Sequence, residues 1–196
     1  MTSMLDLGPQ AREVKGLLDG VRDDGLAAPT PCPEYSVRDL LAHLLGLSRA
    51  FTDAARKDLG PGTTQNPGAG LPDLPADWRV RLPAQLDELA AAWRDPSAWE
   101  GETQAGGIDL PGGVAGMVAL NELVLHGWDL ARATGQEYEG DPASLEVSVG
   151  MLSESGALAA RDGIFGPVVE VPEGASLLER AVGLGGRRPD WSPAAR

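Results

Sequence analysis

Apolar positions recur at helical spacing along most of the chain. Leu5, Leu7, Val14, Leu17, Leu18 and Val21 predict a first helix within 5–24, with Gly25 as its stop. TPCPEY (30–35) contains two prolines and is expected to be extended. Ser36 and Asp39 form an S-x-x-D capping box, so a second helix should run from about Val37 to about Lys57. Its first half carries Leu40, Leu41, Leu44, Leu45 and Leu47. Gly and Pro dominate 59–77, which reads as a loop. A third helix is predicted from about Arg79 to Trp93, starting late or with a distorted first turn because of Pro83. Residues 95–112 read as another loop.

The segment 114–134 has the strongest pattern. It spans about 30 Å as a straight helix, is apolar on nearly every side, and so predicts a buried helix ended by Gly135. Asp141-Pro142 places an N-cap before a first-turn proline, starting a fifth helix that should continue to about Arg161. GIFGPVVEVPEG reads as a loop, Ser176 and Glu179 cap a short last helix, and the tail RRPDWSPAAR looks irregular. No strand alternation and no internal repeat stand out. The expectation is an all-α protein, and two long connections release the bundle from simple up-down-up-down order.

Charge narrows the partners. Acidic residues outnumber basic ones 29 to 16, which disfavours nucleic acid and anionic membranes because both need a basic surface. The single cysteine, Cys32, rules out an intramolecular disulfide and fits a reducing compartment. The N-terminus shows no signal-peptide pattern, and no apolar run nears the roughly 20 residues of a membrane span. A cytoplasmic location, as monomer or homodimer, is the resulting expectation.

The chain has only two histidines, and each lies in a strongly apolar helix: His43 in LLAHLLGL and His126 in ELVLHGWDL. Glu122 precedes His126 by one helical turn, so the two share a face. A carboxylate buried there must be neutralised, paired or metal-bound, and a buried imidazole needs partners for both nitrogens. One divalent ion between the second and fourth helices would satisfy His43, Glu122 and His126 together. The competing reading is a hydrogen-bonded Glu–His pair and a satisfied core histidine. Imidazole with carboxylate suits zinc first, with nickel, iron or copper as alternatives, and three protein ligands leave a position open. Asp129, three residues after His126, either orients that ligand or pairs with Arg38, Arg132 or another arginine. Asp39 has its capping role, Trp128 reads as core, and Cys32 reads as a half-buried turn residue with a secondary claim on the metal or a substrate thiol. The glycine-rich stretches match no nucleotide-binding loop.

TPCPEYSVRDLLAHLLG and NELVLHGWDLARATG, in that order, resemble the two signature segments of one family. It is the actinobacterial metal-binding family related to the N-terminal domain of mycothiol-dependent maleylpyruvate isomerase, within the DinB/YfiT-like superfamily. FGPVVEVPEGASLLERAVGLGGRRPDW resembles the ending of its stand-alone branch. The resemblance implies one domain over 1–196: a DinB-like four-helix bundle with long crossover loops and an additional short C-terminal helix. It implies a metal site at His43, Glu122 and His126. It also implies mycothiol, or another low-molecular-weight thiol, as co-substrate of a thiol transferase or isomerase acting on a small electrophile. Ending at 196, the chain is expected to have no room for the isomerase's second, C-terminal domain, which puts maleylpyruvate itself in doubt as substrate. Two other readings share the site: a metal- or ligand-binding protein without turnover, and a metal-hydroxide hydrolase. The sequence assigns no general base.

Overall fold

The computed structural model describes residues 5–33, 35–64, 70, 73–154 and 166–193. Their order is α1 (Gly8–Leu17), α2 (Val37–Arg56), a short α3 (Pro61–Thr64), α4 (Trp78–Ala92), β1 (Glu102–Ala105), β2 (Ile108–Pro111), α5 (Gly112–Thr134), α6 (Pro142–Ser153) and α7 (Leu177–Leu184). Among the described residues the protein is all-α apart from one hairpin. None of the described helices is long and apolar enough to cross a membrane.

Four helices close a ring. α2 packs between α4 and α5, and α1 packs between the same two helices on the other side. Leu40, Leu41 and Leu44 of α2 meet Leu82, Leu86 and Leu89 of α4 and Leu120 and Leu123 of α5 in one core, all fully buried. Each such side chain contributes about 1.5–3 kcal/mol of hydrophobic stabilisation. The all-round apolar character of α5 has a two-sided cause. One flank faces the ring, and Val124 on the other packs with Leu145 and Val149 of α6 and Ala181 of α7.

Local signals set most boundaries. Ser36 and Asp39 form the reciprocal capping box of α2, Ser176 and Glu179 that of α7, and Asp141 caps α6 through Ser144 N–H. Gly135 ends α5 in the left-handed conformation at φ 69°. α4 runs continuously through Pro83.

Five expectations change, the first being that the short α3 lies within 59–77, expected as loop. α1 stops at Leu17 and gives way to 3₁₀ turns, and the Leu17 carbonyl accepts from Gln136 Nε2 (2.9 Å), a residue just beyond α5. The described residues of 30–35 are not simply extended: Tyr35 N–H donates to Cys32 O (3.1 Å) and Thr30 N–H to Tyr35 O (3.2 Å). Residues 102–111, expected as loop, form the hairpin, whose Gly106 and Gly107 both have positive φ (61° and 80°). α6 ends at Ser153, and the stretch expected to extend it to about Arg161 lies beyond residue 154, outside the described residues.

Candidate metal centre

The capping box starts α2 so that His43 lies two turns in, on the flank facing α5. Asp39 is consumed by that cap: its Oδ2 accepts from Ser36 N–H at 3.0 Å and from the Ser36 hydroxyl. On α5, Glu122 and His126 project from one face. The Glu122 Oε2 oxygen stands 3.3 Å from His43 Nε2 and 3.2 Å from His126 Nε2. The two rings meet edge to face at 4.7 Å between centroids. The side chains are nearly enclosed, with 13%, 18% and 8% exposure for His43, Glu122 and His126. The three residues that the sequence pointed to therefore converge on one buried point.

Asp129 joins them from the far side of His126. Its Oδ2 lies 3.0 Å from His126 Nδ1, and Arg187 closes on it with Nη2 to Oδ2 at 2.9 Å and Nε to Oδ1 at 3.3 Å. Asp129 therefore contacts the histidine and pairs with an arginine at once. That arginine is Arg187, while Arg132 donates to Trp191 O and sits 6.0 Å from the Trp128 ring. Trp128 is core, as expected. No sequence signal linked Arg187 to Asp129, since 58 residues separate them.

Burial and pairing oppose each other at every charged group here. Burial pushes the Glu122 carboxyl up, but the His126 and His43 hydrogen bonds and charges outweigh it and hold it well below the usual carboxylate range. Burial pushes His126 down, yet Asp129 and Glu122 together hold it above its ordinary value. Asp129 is lowered by Arg187 and His126 against its own burial.

The donor geometry fits a small divalent ion. Atoms bound at about 2.0–2.2 Å to a tetrahedral ion lie about 3.4 Å from one another, close to the 3.2 and 3.3 Å separations observed. All three ligand atoms lie within 4.8 Å of each other. Cys32, His126 and Asp129 satisfy the same distance limit. That second cluster is a poorer cation site, because Arg187 already supplies Asp129 with a positive partner. Tyr35 was not anticipated. Its ring lies over the cluster, 5.4 Å from the His43 ring and 6.4 Å from the His126 ring, placed there by the Cys32–Tyr35 turn.

These features define a class: a helical bundle holding a His–Glu–His cluster between two of its core helices. Within it, the chain belongs to the family described as the mycothiol maleylpyruvate isomerase N-terminal domain, which matches residues 7–131. Two Mycobacterium tuberculosis proteins, from strains CDC 1551 / Oshkosh and H37Rv and both described as uncharacterised, are 31% identical over 153 residues. The match covers 72% of this chain and 71% of each relative. The crystal structure of mycothiol-dependent maleylpyruvate isomerase shares the fold at TM-score 0.57 and 17% identity. That of a single-site mutant of the isomerase does so at 0.60 and 16%. Each likeness covers 92% of this chain and 88% of the isomerase chain, so the expectation that the chain leaves no room for the isomerase's second domain is not borne out.

Proposed function

We propose that the protein binds one divalent metal ion, zinc first among the candidates, through His43, Glu122 and His126. We further propose that it acts as a metal-dependent thiol transferase or isomerase with mycothiol or a related low-molecular-weight thiol. The observation that carries this reading is the convergence of two imidazole nitrogens on one carboxylate oxygen, with all three side chains nearly enclosed. Family membership supplies the thiol, which is an argument by analogy. An ion bound there would lower the pKa of a coordinated thiol and favour its thiolate.

In this reading the chain's own residues do three things. His43 and His126 present ring nitrogens from two different helices, so the donors are held in place by core packing. Glu122 brings the negative charge that suits a dication. Tyr35 and the turn carrying it limit access of water and substrate. The helices and the C-terminal segment act as one domain around the site.

The enclosure by Tyr35 also favours the second reading, a metal- or ligand-binding protein without turnover. One experiment separates them. Stripped protein is titrated with cobalt, then with mycothiol, and the sulfur-to-metal charge-transfer band is followed, with Cys32→Ser alongside to exclude the protein's own thiol. A band that persists in Cys32→Ser and vanishes in His43→Ala supports thiol binding at the site. Faster conjugation of an electrophile than with the thiol alone, lost on metal removal, supports turnover. Cobalt binding without any response to thiol would replace the transferase by the binding or hydrolytic reading.

A further inference from the structure

The closing GLGGR stretch contributes nothing to the three ligands, yet the fold goes to unusual lengths to deliver its arginine. The chain leaves α7 through three glycines, each needed for a different reason. A Cβ on Gly183 would lie 2.6 Å from Val169 O, and one on Gly185 would lie 2.7 Å from the Leu125 side chain of α5. Gly186 has φ +82° and passes so close to Gly166 that a Cβ would lie 2.8 Å from its Cα. The result is an arginine only 8% exposed, pinned by Nη1 donating to Gly185 O at 2.7 Å, with its fork on a fully buried Asp129.

We propose that Arg187 is a positioning residue of the metal centre, acting through Asp129 on His126. The proposal rests on the metal-binding reading above. Asp129 Oδ2 faces both His126 Nδ1 and Arg187 Nη2, and Oδ1 receives Arg187 Nε. The two-point grip fixes the plane of the carboxylate, which a point charge would not do. An oriented Asp129 accepts from His126 Nδ1–H, and Nε2 is the nitrogen turned to Glu122, 3.2 Å away. Arg187 lies outside residues 7–131, so a segment beyond the family-matched residues completes the support of a ligand within them.

A purely structural ion pair would tie the C-terminal segment to α5 and leave the imidazole unaffected. The test reads the imidazole directly, which the presence of only two histidines makes tractable. Histidine-labelled protein is titrated with zinc alone. Affinity and the ring-nitrogen NMR pattern of each histidine are measured for wild type, Arg187→Met and Arg187→Lys, with circular dichroism to verify the fold. Wild type should show both rings bound through Nε2, with Nδ1 of His126 protonated. Arg187→Met should weaken zinc binding about 10–100-fold and alter the His126 pattern while His43 keeps its own. Arg187→Lys, which restores charge without the fork, should fall between. A folded Arg187→Met with wild-type affinity and an unchanged His126 pattern overturns the proposal and leaves the metal reading standing. If Arg187→Met does not fold, Asp129→Asn with Arg187→Met removes the uncompensated charge and keeps an acceptor for Nδ1–H. Wild-type zinc binding and a wild-type His126 pattern in that double variant overturn the proposal, and weakened binding with an altered pattern supports it. Wild type that takes up no zinc sinks both readings together.

Discussion

Two polar clusters flank α5, and they are built on opposite principles. On the α1 side, Gln10 Nε2 donates to the Tyr138 hydroxyl at 2.5 Å, and that hydroxyl donates to Val124 O at 3.0 Å. Gln10 Oε1 accepts from Asp141 N–H at 3.1 Å. Every member is neutral and every bond ends on another protein group. Gly127 makes the room, since a Cβ there would lie 2.7 Å from the Tyr138 oxygen. On the α2 side, one carboxylate oxygen is shared by two imidazole nitrogens, so charged and titratable groups converge on a single atom. A closed neutral network ties segments together and has nothing to offer a ligand. A convergent ionic one brings three possible metal donors to one point. The clusters use neighbouring residues of one helix, so burial alone does not distinguish structure from site.

That contrast can be broken most strongly at His126. His126→Ala is expected to reduce zinc affinity by more than the 10–100-fold typical of supporting residues, measured by titration of stripped protein. Equal binding by wild type and variant would remove the metal assignment. Next in size is the coupling of ion to fold. At a hundredfold excess over its dissociation constant the ion should stabilise the protein by about 2.7 kcal/mol, seen as a rise in melting temperature. Glu122→Gln should shrink that rise, and an unchanged rise would argue against ligation by Glu122.

The neutral cluster should behave in the reverse manner. Tyr138→Phe leaves Val124 O and Gln10 Nε2 without their partner, for a loss of about 1–3 kcal/mol in chemical denaturation and no change in zinc affinity. A change in affinity would mean that the clusters are coupled through α5. The smallest effect is expected from the cap of α2. Ser36→Ala should cost about 1 kcal/mol while leaving zinc binding within a fewfold of wild type, because His43 is held by core packing two turns further on.

Much of this was readable residue by residue. Caps at Ser36, Asp141 and Ser176 and the stop at Gly135 are local chemistry, and they fell where the chain's own pattern put them. Glu122 and His126 share a face by helical periodicity alone. The hairpin at 102–111 was legible only in its turn: Ala105-Gly106-Gly107-Ile108 carries the two-glycine signal, while ETQA and IDLP are too short to alternate. The partner of the last α1 carbonyl was not legible, because it is a side chain 119 residues away.

The sequence by itself determined the helices, the buried character of α5 and the identity of the three convergent groups, since propensity, capping and periodicity act over a few residues. Only the tertiary structure decided that α2 lies against α5 with His43 at the level of Glu122, that Tyr35 covers the pair, and that Arg187 reaches Asp129. Those are contacts between residues far apart in the chain. They are set by how the apolar faces of the ring close and by where three glycines let the C-terminal segment pass, and no local pattern encodes either.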